Sequence, residues 1–561
     1  MTSSFDIFDT CLMRKCGSPE CFFDVFSLRA FNGEVEEWVR QEFVIARRTA
    51  EQSLSSPLMT LQHIWDAVTW THPQLKSKAE LCLLEQEMER EMLVPVVKMR
   101  DKVNECRKKG QRVIFISDMY LPSAFLCEVM REHGFMKEGD VLYVSCECNA
   151  EKRTGELFKY VCEKEGLSFR CWHHYGDNKE SDYNSPRRLG IKSTLVKHEY
   201  SPYQRRWLEN DYSLGYKCSS IMAGLGRSLH YSREWTTHTD MVLDIIAPFY
   251  SALVYRMMKD AEKRGVKRLY FCARDAYMMY LVAQKYQPFF PSIKCEFLYI
   301  SRKALYEGDS DAKIAYFKSV GLATEEDYVG IVDQRSTGKT MAFLNEFLGS
   351  FGYRPVRGYY FELFCNAIDV KGSYWLEDYS TELNDLYNHE WASLIRGLSQ
   401  LFETFFPLNT LPKTVNYKME KGVPKPVFGS DDNDDSLEVD KTFVDQKEKW
   451  ETLHKGLIIE YVDAFVCTGL FKFANDVFCV VVATIMAFLR EPNKHYLPAL
   501  ECLYGKANGS KKYIPFVRKT SWLRLMITHG HNTLWKQASI IYSNFSWFQN
   551  MYRKMLYGES I

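Results

Sequence analysis

Short apolar runs alternate with amphipathic helical patterns over the first 200 residues of the chain. The apolar runs predict strands at 3–8, 112–117, 141–145 and 171–175. Strands that alternate with helices are typical of a parallel sheet covered by helices. A long helical pattern at about 14–100 separates the first two strands and predicts an insertion into the sheet. Residues 1–200 therefore predict one α/β domain.

A second series of strands and helices follows a helical connector at 201–240. Its apolar runs predict strands at 267–273, 294–300 and 328–333, which indicates a separate α/β domain over 241–425.

The last quarter of the chain changes in composition. The acidic, turn-prone residues that follow Gly429 predict a solvated linker at 426–444. Residues 445–561 have helical patterns. The predicted fold class is α/β: a Rossmann-like core with a helical insertion, a second α/β domain and a helical C-terminal region.

Composition limits the classes of protein to consider. The chain has 561 residues, of which 46% are hydrophobic and 26% charged, and this suggests three to four domains at roughly 150 residues each. A disordered or fibrous protein is excluded. The 72 basic residues balance the 72 acidic ones, so no bulk positive field favours a nucleic-acid partner.

The cysteines and the apolar segments bear on the compartment. The 17 cysteines are an odd number and include no C-x-x-C pair, so we expect reduced thiols in a cytoplasmic protein rather than disulfides or a zinc site. The most apolar stretch, 477–489, is too short to span a bilayer, and we expect a buried helix. The aromatic and basic tail at 522–557 leaves peripheral contact with a membrane as an alternative to core packing.

Polar side chains stand at the carboxyl ends of four predicted strands. They are Asp6, Ser117, Lys152 and Asp177, with Asp182 following five residues after Asp177. Open α/β folds bind their ligands at this edge of the sheet. A nucleophilic carboxylate, a hydroxyl group, a cation and further carboxylates for Mg²⁺ are the groups that phosphoryl transfer needs. Each residue alone has a structural explanation, such as a helix cap, but the ordered set indicates a phosphate site.

The order of these residues resembles the motifs of the haloacid dehalogenase superfamily. The resemblance implies a role for each residue: Asp6 forms the phosphoaspartate, Ser117 binds phosphate, Lys152 holds nucleophile and phosphate together, Asp177 binds Mg²⁺ and Asp182 supports the metal site. It also implies that residues 14–100 are a helical cap.

One residue departs from the pattern of that superfamily. Most of its phosphatases carry a second aspartate two residues after the nucleophile, and this chain has Phe8 there. A phenylalanine cannot give a proton to a leaving alkoxide. Its backbone carbonyl can still serve as a ligand of Mg²⁺. Asp9, Asp118 or a water molecule remain as substitutes for the acid.

A second set of residues surrounds a strand, turn and helix at 328–348. The free N–H groups and the dipole at the start of a helix favour an anion. An ATP-binding Walker loop would need glycine at Asp333, so that motif is excluded. The candidate binding residues are Arg274, Asp275, Arg302, Lys303, Asp333, Ser336, Thr337, Gly338, Lys339 and Thr340.

The spacing Asp-x-x-x-Thr-Gly-x-Thr from Asp333 to Thr340 resembles the phosphoribosyl-pyrophosphate loop of type I phosphoribosyltransferases. The two domains together resemble proteins of bacterial surface-polysaccharide biosynthesis. The resemblance implies transfer of phosphoribose from phosphoribosyl pyrophosphate (PRPP) to a glycan acceptor, after which the first domain removes the 5-phosphate.

Two other classes of function stay open. The chain is then either a phosphatase of a small phosphorylated sugar or similar monoester with an accessory second domain, or a non-catalytic assembly protein. In the second domain, Arg274 and Asp275 also fit an internal ion pair.

Overall fold

The computed structural model describes residues 1–54, 58–214, 218–234, 236–325, 327–336, 339–363, 411–429, 441–501, 504–506, 513–519, 521, 535–543 and 551. The chain forms two compact units. The first contains Met1–Thr236 and Ala464–Phe473, and the second contains Thr237–Asp463 and Ala474–Ile561.

A five-stranded parallel sheet forms the centre of the first unit. The strands of this unit are β1 (Thr2–Phe5), β2 (Leu12–Arg14), β3 (Leu93–Pro95), β4 (Arg112–Ser117), β5 (Val141–Val144), β6 (Trp172–Gly176) and β7 (Lys192–Leu195). The sheet has the order β5-β4-β1-β6-β7, with every pair parallel. The chain extends to one side of β1 and then returns to the other side, so the carboxyl end of β1 lies at a topological switch point, where open α/β sheets bind ligands.

Helices connect and follow the strands of the first unit. They are α1 (Pro19–Ser27), α2 (Glu37–Ser53), α3 (Leu61–Ala67), α4 (Lys78–Met92), α5 (Val97–Lys108), α6 (Ser123–Glu132), α7 (Ser145–Cys148), α8 (Glu156–Glu165), α9 (Ser185–Arg188), α10 (Pro202–Leu214) and α11 (Cys218–Tyr231). Helix α8 packs Leu157, Phe158 and Val161 into the same cluster as Ile114, Ile116 and Trp172 of the sheet.

The predicted insertion is helical and has a short β-neck. Helices α1 to α4 lie between β2 and β3, which pair antiparallel and bring the two ends of the insertion together. Ser77 and Glu80 form a capping box at the start of α4, which satisfies two backbone N–H groups there. The neck places the insertion at about 15–92, because α5 already packs with the sheet strand β4.

Helix α11 belongs to the first unit and packs against the neck. An added Cβ on Gly224 would lie 2.2 Å from the backbone nitrogen of Gly17, so the helix can approach the chain after β2 only with glycine at that position. The predicted connector at 201–240 therefore folds largely with the first unit.

A four-stranded parallel sheet forms the centre of the second unit. Its strands are β8 (Arg268–Cys272), β9 (Lys294–Leu298), β10 (Val329–Ser336) and β11 (Arg357–Leu363), in the order β11-β10-β8-β9. The surrounding helices are α12 (Thr237–Met241), α13 (Ala247–Lys263), α14 (Tyr277–Tyr286), α15 (Arg302–Glu307), α16 (Ser310–Ser319) and α17 (Lys339–Ser350). The fold class predicted from the sequence is confirmed: a parallel α/β sheet with a helical insertion is followed by a second parallel sheet.

The rest of the second unit differs in detail from the prediction. An antiparallel hairpin, β12 (Lys413–Glu420) and β13 (Val423–Gly429), extends through the first four residues of the predicted linker at 426–444. Among the described residues beyond it, helices dominate, at Lys441–Cys467, Ala474–Arg490, Leu497–Glu501 and Lys536–Tyr542. A short hairpin, β14 (Tyr504–Lys506) and β15 (Tyr513–Pro515), interrupts them.

One continuous helical stretch, Thr237–Lys263, is long and apolar enough by length and composition to cross a membrane, and the sequence analysis did not single it out. Within the described residues, 94% of its apolar window is buried inside the protein, as in the core helix of a globular domain, so the stretch is weak evidence for a membrane span. The predicted buried helix at 477–489 lies within Ala474–Arg490, where Val477, Val480 and Phe488 are buried. The tail at 522–557 falls mostly outside the described residues.

Among the fourteen cysteines whose side chains the structure describes, no two form a disulfide.

Candidate active site

The carboxyl edge of the first sheet carries the residues that the sequence singled out. Asp6 directly follows β1, and its backbone N–H donates to the Tyr175 carbonyl at 2.9 Å. Ser117 is the last residue of β4 and pairs with Val144 of β5. Asp177 follows β6, and all three residues therefore lie at the same edge, although they are far apart in sequence.

Lys152 joins two of the predicted carboxylates. Its Nζ lies 2.5 Å from Asp6 Oδ1 and 2.6 Å from Asp182 Oδ1, and all three side chains are buried. Burial alone would lower the pKa of Lys152, but Asp182 and Asp6 raise it above its usual range. The ammonium group is therefore charged and fixes the distance between the two carboxylates.

Asp182 is held through both of its oxygen atoms. Its Oδ2 accepts the backbone N–H of Asn178 at 3.0 Å, and its Oδ1 contacts His174 Nε2 at 3.1 Å in addition to Lys152. Its carboxylate packs directly on Gly176, where an added Cβ would lie 2.4 Å from Asp182 Cγ. Burial alone would raise the pKa of Asp182, but Lys152 and His174 hold it below its usual range.

Three carboxylates converge at this edge. Asp6, Asp177 and Asp182 each offer an oxygen atom, and these atoms lie within 4.8 Å of one another. Burial raises the pKa of Asp6 well above its usual range, and burial raises the pKa of Asp177 to about 6, to which the charges of Asp9 and Asp182 add. Three carboxylates face one ammonium group, and carboxylate oxygens are the ligands that Mg²⁺ prefers, so these residues fit a divalent cation.

The residues after Asp6 turn sharply. Phe8 stands where a second aspartate would be, and the guanidinium of Arg14 lies 4.4 Å from the centre of its ring. Asp9 has a φ of 52°, in the left-handed region that aspartate tolerates better than most residues. Arg227 Nη2 of α11 lies 3.7 Å from Asp9 Oδ1, and burial raises the pKa of Asp9. Thr10 Oγ1 donates to Asp177 Oδ1 at 3.2 Å.

Asp118 holds the loop that carries the lysine. Its two carboxylate oxygens accept the backbone N–H of Lys152 at 2.9 and 3.2 Å. Ser185 Oγ donates to the Lys152 carbonyl at 2.6 Å, so the peptide groups on both sides of Lys152 are held by hydrogen bonds. The rigid loop explains how a lysine with several rotatable bonds keeps one position in the site.

Some of the candidate binding residues of the second domain lie next to the strands of the second sheet. The chain passes from β8 to β9 on one side and then to β10 on the other, so the switch point lies between β8 and β10. Arg274 and Asp275 follow β8, and the charges of Arg274 and Arg302 both act on the Asp275 carboxylate. Asp333 and Asp275 both act on the thiol of Cys272 at the end of β8. Four of the candidate residues thus lie close enough for their charges to act on one another or on Cys272: Arg274, Asp275, Arg302 and Asp333.

The turn predicted after Asp333 begins later than expected. Strand β10 continues to Ser336, because Arg335 and Ser336 pair with Glu362 and Leu363 of β11. Asp333 and Ser336 therefore belong to the strand. Lys339 and Thr340 begin α17, Arg302 and Lys303 begin α15, and Thr337 and Gly338 lie outside the described residues.

Sequence reasoning missed several groups around the first site. His174, Ser4 and Trp172 lie within strands, where a polar residue in an apolar run reads as one more strand position. Arg227 is distant in sequence and carries no local motif. The run Trp172-His173-His174 was the one available signal, since two histidines are uncommon in a buried strand.

No protein-family model and no curated protein matches the chain. Solved structures similar to part of it include a HAD phosphatase from Thermococcus onnurineus (16% identity, TM-score 0.28, covering 35% of this chain and 86% of that one). A HAD family enzyme from Bacteroides thetaiotaomicron is similar at 16% identity and TM-score 0.28, covering 35% and 93%. The HAD-hydrolase YfnB from Bacillus subtilis, bound to magnesium, is similar at 16% identity and TM-score 0.27, covering 36% and 88%. Likeness at this level carries no information on substrate.

Proposed function

We propose that the first unit is a phosphohydrolase of the haloacid dehalogenase type, with Asp6 as the nucleophile. The observation that carries the proposal is the convergence of Asp6, Lys152, Asp177 and Asp182, drawn from three separate segments, on the carboxyl edge of one parallel sheet. A structural ion pair needs one carboxylate for one lysine, whereas this site keeps three carboxylates around one.

The chemistry divides into two steps. A carboxylate oxygen of Asp6 attacks the phosphorus of a monoester, and the bond from phosphorus to the leaving oxygen breaks. Because Lys152 binds Oδ1, we assign the attack to Oδ2. Water then hydrolyses the phosphoaspartate, which releases orthophosphate and restores Asp6. Ser117 and Lys152 are the donors that we assign to the phosphate oxygens.

We assign Mg²⁺ to Asp6, Asp177, Asp182 and the carbonyl of Phe8. When bound, the ion neutralises charge on the phosphate oxygens. The residues themselves orient the nucleophile and keep the lysine charged.

The leaving oxygen needs a proton, and Phe8 cannot supply it. Burial raises the pKa of both Asp118 and Asp9. Asp118 is engaged through both oxygens with the backbone N–H of Lys152, whereas Asp9 Oδ1 accepts no hydrogen bond from the described residues and the charge of Asp9 acts on Asp177. Asp9 is therefore the carboxyl group that we assign to this task.

The test is release of orthophosphate by the full-length protein from p-nitrophenyl phosphate with Mg²⁺. Asp6→Asn is expected to abolish release, because the amide is not a nucleophile. Asp101→Asn removes an exposed carboxylate on α5 of the same unit and is expected to keep wild-type activity. Equal activity in Asp6→Asn and wild type would exclude the proposal.

We further propose that the second unit transfers phosphoribose from PRPP to a glycan acceptor in a cytoplasmic reaction of polysaccharide biosynthesis, and that the first unit then removes the 5-phosphate. The observation that favours it is the gathering of Arg274, Arg302, Asp275 and Asp333 around the switch point of the second sheet. Arginines suit a pyrophosphate, and the carboxylates suit ribose hydroxyl groups.

The test of this second proposal measures the release of pyrophosphate and the release of orthophosphate separately. With PRPP, Mg²⁺ and a glycan acceptor, Asp333→Ala is expected to stop release of pyrophosphate. Asp6→Asn is expected to stop release of orthophosphate only. Absence of both anions with every acceptor tried would contradict the two-step reaction and leave a phosphatase with an accessory domain.

A further inference from the structure

Three buried polar side chains in the interior of the first sheet have no place in the reaction described above. Ser4 of β1 and His174 of β6 stand directly opposite each other in the parallel register. Trp172 lies two residues before His174 on the same strand. All three are buried, where an unpaired polar group would cost about 1–3 kcal/mol. A valine or leucine would fill either strand position with no polar atom to satisfy.

The three side chains form one continuous hydrogen-bonded chain. Trp172 Nε1 donates to Ser4 Oγ at 2.7 Å, and Ser4 Oγ lies 2.8 Å from His174 Nδ1. The carboxylate of Asp182 can only accept, so His174 Nε2, which lies 3.1 Å from Asp182 Oδ1, carries the ring hydrogen and donates it. In the neutral ring Nδ1 is then the acceptor, so Ser4 gives its hydroxyl hydrogen to Nδ1 and accepts the indole N–H of Trp172.

This hydrogen-bonded chain ends at the carboxylate of Asp182, which positions Lys152. Asp182 Oδ1 accepts from both His174 Nε2 and Lys152 Nζ, and the same Nζ donates to Asp6 Oδ1. Phe158 fixes the plane of the His174 ring, because it packs on it edge to face with ring centres 5.0 Å apart. A rotation of the Asp182 carboxylate would move Lys152 relative to Asp6, and His174 opposes that rotation.

We propose that His174 is a positioning residue: held by Ser4 and Trp172, its Nε2–H orients Asp182 and, through Asp182, keeps Lys152 on the nucleophile Asp6. The inference rests on the proposed function of the first unit. His174 does not touch the substrate, so its removal acts on the chemical step and leaves substrate binding nearly intact.

The kinetic test compares three variants of the full-length protein with p-nitrophenyl phosphate and Mg²⁺. His174→Leu is expected to lower kcat about 10–100-fold, as loss of a group that orients a metal-site residue does. KM is expected to stay within about two-fold. His174→Gln carries an amide N–H that can replace Nε2 and is expected to recover most of kcat.

The matched control is the neighbouring residue. His173→Leu makes the same exchange on the same strand, but His173 Nε2 pairs with Thr194 Oγ1 at 2.8 Å and not with the site. This variant is expected to keep the wild-type kcat. An unchanged kcat in His174→Leu, or a His174→Gln variant as slow as His174→Leu, would overturn the inference.

A second measurement needs no activity and so separates this inference from the proposed function. In full-length protein labelled with ¹⁵N-histidine, NMR is expected to show His174 with hydrogen on Nε2 in the wild type. Amine acetylation followed by mass spectrometry is expected to show Lys152 protected in the wild type and in His174→Gln, and more reactive in His174→Leu. A wild-type ring with hydrogen on Nδ1 alone, or equal reactivity of Lys152 in all three proteins, would overturn the inference. A wild type that passes both tests but releases no orthophosphate would contradict only the proposed function.

Discussion

At the scale of single residues, Phe8 bears directly on the proposed reaction. It lies two residues after Asp6 and has no proton to give, and the guanidinium of Arg14 lies 4.4 Å from the centre of its ring. We expect Phe8→Asp to raise kcat/KM for an alkyl phosphate by about 10–100-fold, which is less than the roughly 10²–10⁴-fold of general acid catalysis because Asp9 already supplies a proton. The value for p-nitrophenyl phosphate is expected to change little, since that leaving group departs without a proton.

Phe8→Asn is the matched control for this exchange. It has nearly the same size as the aspartate variant but cannot give a proton, so it is expected to show no gain with the alkyl ester. An equal gain in both variants would indicate that removal of the ring, and not proton transfer, changes the rate.

Asp177 gives the site a pH dependence. Burial raises its pKa to about 6 in the metal-free protein, and a raised pKa means that the ionised group destabilises the fold. Its contribution to stability is therefore present below the ordinary aspartate pKa and is lost as the pH rises through about 6. We expect metal-free Asp177→Asn to be more stable than the wild type at pH 8, on the order of 1 kcal/mol after solvent screening.

Urea unfolding of the metal-free protein, at pH 8 and well below the ordinary aspartate pKa, measures this difference. The gain from Asp177→Asn is expected to shrink at the lower pH, where the wild-type carboxyl is protonated. Mg²⁺ is expected to reverse the order at pH 8, because it binds the ionised carboxylate. A gain that is the same at both pH values would contradict the account.

At the scale of elements, a buried ion pair fixes the helical insertion to the loop after β4. Glu85 of α4 accepts from Arg47 Nη2 at 2.8 Å, from Trp65 Nε1 at 2.9 Å and from Tyr120 Oη at 2.9 Å. Tyr120 stands three residues after Ser117, and its carbonyl accepts the backbone N–H of Leu61 at 3.0 Å. One hydrogen-bonded network therefore connects the insertion with the loop after β4.

Glu85→Ala is expected to destabilise the first unit by about 3–5 kcal/mol, because it leaves the fully buried Arg47 without its main partner. Glu91→Ala is the matched control on the same helix: Glu91 pairs with Arg29, and both side chains are about half exposed, so the loss is expected to stay below about 1 kcal/mol. Chemical denaturation of the full-length protein compares the two variants. Equal losses would contradict the assignment of the network.

At the scale of the whole molecule, the first unit includes a segment that lies far along the sequence. Gly469, in Ala464–Phe473, has a φ of 68°, and an added Cβ would lie 2.8 Å from Leu28 Cδ1 of the insertion. We expect Gly469→Ala to destabilise the first unit by about 1 kcal/mol or more, through backbone strain and this contact. Thermal unfolding of the full-length protein measures the loss.

Gly422→Ala separates the cost of backbone strain from the cost of the contact with Leu28. Gly422 also has a positive φ, of 80°, but an added Cβ would meet no atom within 4 Å. This variant is expected to lose less stability than Gly469→Ala. A larger loss in Gly422→Ala would contradict the contact between Gly469 and Leu28.

The sequence predicted features that depend on local patterns and missed features that depend on contacts between residues far apart in the chain. Strand β4 was predicted with its observed bounds, and Asp6, Ser117 and Asp177 were placed at strand ends, because an apolar run followed by a polar residue is a local pattern. The edge strand β7 was missed because Leu195 is its one apolar residue, and the edge strand β11 was missed although its sequence, RGYYFEL, is rich in aromatic residues. The Gly17–Gly224 approach and the chain from Trp172 to Asp182 depend on tertiary contacts that no local pattern encodes.

The central claim is that Asp6 carries the phosphoryl group, and trapping that intermediate tests it most directly. Full-length protein is mixed with a radiolabelled phosphomonoester and Mg²⁺, quenched in acid, reduced with borohydride and digested for mass spectrometry. The account predicts a labelled acyl phosphate that borohydride converts to homoserine at position 6, and no label in Asp6→Asn. Label on another residue, or steady release of orthophosphate from Asp6→Asn, would contradict it.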